Sequence, residues 1–542
     1  MLAKTAPLAV LTFALVACSP QPAPPAQPTT IQLLDVSDWH AQLDPLTVGS
    51  GTSAYEVGGA AVLSAYFKRD RAQNPNTLTL TGGDAYGASP PLSSFFGEVP
   101  AIEAMNAMGF DADTFGNHNF DRGIAALQTL IDKAKFSYVS ANLRNLDANL
   151  NKVLPFKIFT VGGVKVAVVG LTNPEAPTLV APGALGTLQV TDPVAAATQA
   201  RAAARSQGAQ VFVAITHLGV TTQDPATQTA TGPLIDFAKS VRGYDVIFGD
   251  HTNEQFSGFV GDALVVENLS KGATYAKVNV TYDPRVRRVT ERTNTFVVPR
   301  ADAVTPDPAV VQVLAPYRAQ LAQQLDRKIG VATDVFPRGS NVERLQEVAL
   351  GNLIADAFRA RYGTQLAIQN GGSIRSSLPS SYAPQDKTLR RPAPGYQPGP
   401  PHDLVAGDVY SVLPFGNTVV TRTVTGVQLY AALENSVSAL PGASGRFLQV
   451  SGFSFTYDVS RPVGSRVVNV TLDGGMPILK DATTYTLALS DFTNSGGDEY
   501  TMFADGQGTT RELDAQVVLE YIQQLGTVTP VVGQRIRAVT GN

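Results

Sequence analysis

Asn117, His118 and Asp121 fall within five residues of one another, directly after the apolar Phe115 and the turn residue Gly116. An amide oxygen suits a hard cation, and an imidazole can donate a proton or hydrogen bond to a developing anion. A carboxylate three residues on can hold that imidazole in orientation. These residue types also populate ordinary turns, so the run alone reads equally well as a polar loop after a strand. Its meaning comes from other positions. The chain has 5 histidines, and His40, His118, His217 and His251 each stand just past an apolar, strand-like run, whereas His402 does not.

The segment 31–34 reads as a short buried strand that leads to Asp38 and His40, and an i, i+2 pair in extended backbone points the same way. The strand 77–80 runs into Gly82-Gly83-Asp84, where the glycines permit close backbone approach. Likewise 211–215 delivers His217, and 244–248 delivers His251 and Asn253. Open α/β sheets gather ligands at the carboxyl ends of their strands, so these five strand ends are expected to converge. Oxygen and nitrogen donors without sulfur suit Zn, Mn, Fe or Co better than Ca or a structural zinc. Two such ions about 3.5–4 Å apart need a shared carboxylate and would clamp an in-line phosphoryl displacement. Asp84 is the expected bridge.

Taken in order, Asp38-Trp39-His40, Gly82-Gly83-Asp84, Gly116-Asn117-His118 with Asp121, Thr216-His217 and His251 with Asn253 resemble the motifs of calcineurin-like metallophosphoesterases, specifically the 5′-nucleotidase family. The resemblance implies one metal held by Asp38, His40, Asp84 and Asn253, and a second by Asp84, Asn117, His217 and His251. It implies His118 and Asp121 as a catalytic dyad. Three positions depart from the family pattern. Asn253 stands where Gln or His is usual, Asp250 replaces a usual Gly, and Ala41 replaces the common Gly after the first His.

The second half carries further motifs of the same family. Leu350-Gly351-Asn352, Asn370-Gly371-Gly372-Ser373-Ile374-Arg375, Leu413-Pro414-Phe415-Gly416-Asn417 and Phe492-Thr493-Asn494-Ser495-Gly496-Gly497-Asp498 are similar, in order, to its C-terminal substrate domain. From the residues alone, both phenylalanines read as core and the glycine pair as a turn. The resemblance instead implies Arg375 and Arg344 on a phosphate, Phe415 and Phe492 sandwiching a base, and Asn370 and Asp498 on the nucleoside's polar edges. It also implies an N-terminal four-layer sandwich, a linker helix and a C-terminal mixed α/β domain.

The elements that must position these groups are legible as periodicity. Helices are expected over 59–72, 101–108, 309–328, 343–358 and 513–525, the third opened by Asp307 and Pro308 and kinked at Pro316. Strands are expected at 164–171, 366–368, 418–423, 454–457, 467–472 and 485–489. The segment 379–402 is rich in Pro, contains Arg390 and Arg391, and lacks periodicity; it reads as a solvated, mobile insertion or loose lid.

At 542 residues and 44% apolar composition the chain exceeds one core, and two large domains are expected. A net charge of −4 gives no basic excess, so nothing in the composition suggests a binder of nucleic-acid backbones, and no nucleic-acid polymer is expected as partner. The single cysteine, Cys18, excludes an intramolecular disulfide. Lys4 followed by the apolar run 6–17 has signal-peptide proportions, and Leu15-Val16-Ala17-Cys18 resembles the lipobox of bacterial lipoproteins. The expected organisation is a leader at 1–18, a Pro-rich spacer at 19–30, a metallophosphoesterase domain at 31–300, a linker helix at 301–330 and a substrate domain at 331–542. The expected activity is hydrolysis of nucleoside 5′-monophosphates with two divalent metal ions, with the second domain bringing the phosphate to the metals. The expected site is the cell envelope, by lipid on Cys18. The alternatives are a 2′,3′-cyclic-nucleotide phosphodiesterase or 3′-nucleotidase, a UDP-sugar hydrolase, and a nucleotide-binding lipoprotein without catalysis. Oligomeric state is not legible.

Overall fold

The computed structural model describes residues 27–48, 55–180, 183–224 and 229–539. Cys18 and the leader lie outside the described residues. No helix among the described residues is long and apolar enough to cross a membrane.

Two sheets build the first half. One runs Arg288–Val297, Tyr275–Asp283, Thr29–Val36, Thr77–Thr81, Ala112–Asp113, Ser137–Val139, Val153–Leu154. The other runs Phe256–Val260, Ala263–Glu267, Val246–Gly249, Val211–Thr216, Val164–Leu171, Phe156–Val161. Their central strands pair in parallel, Leu34 opposite Thr79 in the first and Val168 opposite Val213 in the second. Strand side chains alternate faces, and both phases are apolar here. Leu33, Leu80, Val168 and Ile215 pack between the sheets. In the other phase, Val169 and Ala214 meet helices Pro193–Ser206 and Pro233–Ser240, and Leu34 and Val36 meet helices Ala60–Gln73 and Val99–Met108. Helix, sheet, sheet and helix make the four layers that the motif resemblance implied.

Helix Pro308–Leu325 carries the chain onward and packs on the first half: Val310, Leu314, Leu321 and Leu325 enter the core beside Ala60–Gln73. Its cap Asp307 accepts from Ala309 N at 3.2 Å and takes Ser64 Oγ at 2.6 Å and Lys68 Nζ at 2.7 Å, so the helix start is tied to that neighbour. Beyond it, a five-stranded sheet orders Leu448–Ser451, Leu366–Asn370, Thr484–Ser490, Thr418–Thr425 and Thr509–Leu513. Two three-stranded sheets and helices Ala349–Tyr362, Gly426–Val437 and Asp514–Leu525 surround it.

Two expectations are corrected. The helix expected over 343–358 begins only at Ala349, after a single turn at Val342–Arg344. Gln449 is the reason: its side chain accepts from Val348 N at 2.9 Å and donates to the Glu343 and Gln346 carbonyls, taking the partners a continuous helix would use. The segment 379–402 is not a solvated lid. Arg391 is buried, with its guanidinium on both carboxylate oxygens of Asp408 at 2.6 and 2.8 Å and on the carbonyls of Ser380 and Tyr382. His402 opens strand His402–Val405, paired with Lys328–Ala332, and Tyr382 donates to Asp326 at 2.6 Å. Periodicity was a poor guide because side chains anchor the loop. Arg391→Ala is expected to cost about 3–5 kcal/mol, since it leaves Asp408 buried without its counter-charge. Arg390→Ala, at an ion pair 37% exposed on the arginine side and screened by solvent, is expected to leave stability close to that of the wild type. Denaturant unfolding of the two variants checks the contrast.

Candidate metal centre and substrate cavity

The five strand ends meet at one edge where the two sheets face each other. Asp38, His40, Asp84, His251 and Asn253 all adopt positive φ, between 40° and 84°. Non-glycine residues there cost on the order of 1–3 kcal/mol each and persist only where surroundings fix them. Ala41 also sits at φ 46°, which explains why glycine suits that position better.

Asp84 lies at the centre. Its Oδ2 is 3.0 Å from His217 Nε2, which is 3.1 Å from His251 Nδ1. Its Oδ1 accepts from His118 N at 2.8 Å. On its other side, His40 Nε2 lies 3.7 Å from Asp38 Oδ1. Three groups of side chains could each hold a metal ion among the described residues: Asp38 with His40 and Asp84, Asp84 with His217 and His251, and, deeper, Asp38 with His217 and Asp250. Asp84 belongs to the first two, which border the cavity side of the cluster. Gly116 leaves room for this, because a Cβ there would lie 2.2 Å from Asp84 Oδ1. The Asn117 side-chain oxygen is buried and has no hydrogen-bond partner among the described residues.

The donor set fits divalent cations. His40 Nδ1 donates to Gly87 O at 2.8 Å and His217 Nδ1 to Gly82 O at 3.2 Å, which leaves each Nε2 lone pair facing the cluster. Burial, then Arg375 and His118, holds His40 well below its usual pKa; burial and His217 push His251 down to about 3. Both are thus neutral, as metal ligands must be. Against the cost of burial, His217 keeps Asp84 well below the usual carboxylate range, and Asp84 and Asp250 raise His217.

The second domain closes over this cluster. A cavity of about 540 Å³ is lined by Asp38, His40, Asp84, Asn117, His118, Asp121, His251 and Asn253 from one side. From the other come Arg344, Asn370, Arg375, Phe415, Phe492 and Asp498. His118 Nδ1 lies 3.0 Å from Asp121 Oδ2. Phe415 stacks on the His118 ring at 5.6 Å between centroids. Arg375 Nη2 lies 3.3 Å from His40 Nε2, so a guanidinium touches the cluster of donor side chains. Burial and the neighbouring Arg344 and Arg338 push Arg375 down to about 9. Asn370 Nδ2 donates to Asp498 Oδ2 at 2.8 Å.

Every residue expected at the site therefore borders this cavity except His217, which is fully buried behind Asp84. Sequence reasoning passed over several contributors. Lys271 Nζ donates across the domains to Arg375 O at 2.9 Å, and Arg338 Nε to Ile374 O at 2.9 Å. Asn119 accepts from both Asp84 N and Gly116 N, and so sets the two loops against each other. Lys271 and Arg338 lie in loops and Asn119 in the single helical turn His118–Phe120, none of which carries a periodicity to read.

Residues 328–505 match the family described as 5′-nucleotidase, C-terminal domain. The chain is 28% identical over 552 residues to a snake venom 5′-nucleotidase of Naja atra, covering 93% of this chain and 98% of that one. It is 26% identical over 519 residues to endonuclease YhcR of Bacillus subtilis, covering 92% of this chain but spanning only 40% of that longer protein. The solved structure of a 5′-nucleotidase precursor from Thermus thermophilus superposes with a TM-score of 0.81 at 28% identity, covering 95% of this chain and 100% of that one.

Proposed function

We propose that this chain is a member of the 5′-nucleotidase family and a dimetal phosphohydrolase that releases phosphate from nucleoside 5′-monophosphates. The observation that carries the reading is the single cavity with two metal-donor groups sharing Asp84 on one wall and paired cations and aromatic rings on the other. Asp38, His40, Asp84 and Asn253 would hold one divalent cation, and Asp84, Asn117, His217 and His251 the other. Zn, Mn, Fe or Co suit the donors. Bound there, the ions would supply Lewis acidity and activate water at neutral pH.

The chain's own residues do the rest. Arg375 and Arg344 bind and orient the phosphoryl oxygens, with the Arg375 backbone held by Lys271. His118, held by Asp121, donates a hydrogen bond to the charge that develops on phosphorus oxygens as the nucleoside leaves. Phe415 and Phe492 receive the base, and Asn370 and Asp498 its polar edges or the ribose. The leader supports export, with lipid on Cys18 as the anchor to the cell envelope; relatives include a venom enzyme and a protein named for the cell wall.

Phosphate release from 5′-AMP, 3′-AMP, 2′,3′-cyclic AMP and UDP-glucose, with and without Mn or Zn, tests the reading. Metal-dependent release strongest on 5′-AMP is expected. No release from any of the four, with metals confirmed bound, overturns it. Base stacking is worth about 1–3 kcal/mol on alanine substitution, so Phe492→Ala is expected to lower kcat/KM for 5′-AMP roughly 5- to 150-fold. A small aryl phosphate without a base should be hydrolysed nearly as before, and equal losses on both substrates would remove Phe492 from base recognition.

A further inference from the structure

Asp250 stands where the family motif usually has glycine, and its carboxylate is completely buried beneath the metal cluster. Its Oδ1 accepts from His251 N at 2.9 Å, a donor shared with Asp38 Oδ2 at 2.8 Å. Its Oδ2 lies 3.8 Å from His217 Nδ1 and accepts no hydrogen bond among the described residues. The opposite wall is shaped to this oxygen, since a Cβ on Gly82 would lie 2.9 Å from it. Its backbone N donates to Leu218 O at 2.9 Å and so joins the His217 and His251 loops.

That second loop needs outside support. His251 at φ 84° and Asn253 at φ 61° sit in costly backbone conformations only two residues apart. Glu267 braces the loop from one side, taking Thr252 Oγ1 at 2.7 Å and Val220 N at 2.7 Å. Asp250 and Asp38 brace it from the other. A glycine at 250 would leave His251 N to Asp38 alone and the His217 ring with no carboxylate behind it.

We propose that Asp250 is a positioning residue for the metal centre: its carboxylate holds the His251 loop through the His251 amide and backs the His217 ring from 3.8 Å, beside the Gly82 carbonyl that takes its Nδ1–H. The proposal rests on the dimetal reading above. A carboxylate behind a ligand imidazole sets the ring's orientation and strengthens it as a donor, and its loss typically weakens metal binding about 10- to 100-fold.

The test uses the full chain, stripped with chelator and titrated with Mn2+ against a chelating indicator, as wild type, Asp250→Asn and Asp250→Gly. Wild type is expected to bind two ions. Asp250→Asn keeps the shape and an acceptor for His251 N but presents an amide N–H towards the His217 Nδ1–H, so its dissociation constants should rise about tenfold. Those of Asp250→Gly should rise towards 100-fold. A purely structural brace would be rescued by asparagine, so wild-type affinity in Asp250→Asn overturns the proposal whatever the glycine variant does. Should Asp250→Gly fail to fold, the asparagine variant alone decides. A wild type that takes up no Mn2+ would instead strike the dimetal reading.

Discussion

Asp84→Ala is expected to bind at most a fraction of the metal held by the wild type and to lose phosphate release by on the order of 10³-fold or more. The reasoning is geometric. Asp84 joins the group of Asp38 and His40 to that of His217 and His251, and its two oxygens face different neighbours, His217 Nε2 through Oδ2 and the His118 amide through Oδ1. On the proposed dimetal reading, removing it would take a ligand from each ion together with the negative charge that would let two dications lie close. It also frees the His118 amide and the space that Gly116 keeps open. Charge stabilisation by paired metals is worth several kcal/mol, and each 1.4 kcal/mol is about tenfold in rate. Metal content by mass spectrometry beside phosphate release checks both halves of the expectation. Two retained equivalents per chain would remove Asp84 from the bridging role.

How far the site was legible depended on where each residue sits relative to regular structure. Asp38, His40, Asp84, His217 and His251 follow apolar strands whose period and composition are plain, so their convergence followed from the general behaviour of parallel sheets. Phe415 and Phe492 were opaque: an aromatic residue in a loop carries the same pattern whether it packs inward or lines a cavity, and only motif resemblance separated the two. Arg391 and His402 were misjudged because a loop pinned by buried ion pairs has no periodicity to read; the carboxylate that holds Arg391 lies seventeen residues away, at Asp408. Asp250 was visible only as a departure from a pattern. What it touches depends on the crossing of two loops, which no local window of sequence contains.

His118→Ala is expected to lower kcat by about 10²- to 10⁴-fold while the protein keeps its full metal content. His118 belongs to none of the metal-donor groups, although its backbone N–H reaches Asp84. Its Nδ1 lies within 3.2 Å of both Asp121 oxygens, which commits that nitrogen to donating and leaves Nε2 on the far side of the ring. The ring borders the cavity between the metal donors and Phe415. A side chain so placed can act on the reacting phosphate without binding an ion, and the same backbone amide remains in the alanine variant to support Asp84. Asp121→Ala should lower the rate less, because the imidazole persists and loses only its orientation. Asp84→Ala thus strikes metal content first, and His118→Ala strikes turnover alone. Metal analysis and single-turnover phosphate release on the same preparations separate the two, and loss of an ion from His118→Ala would make His118 a ligand rather than a donor to the reacting group.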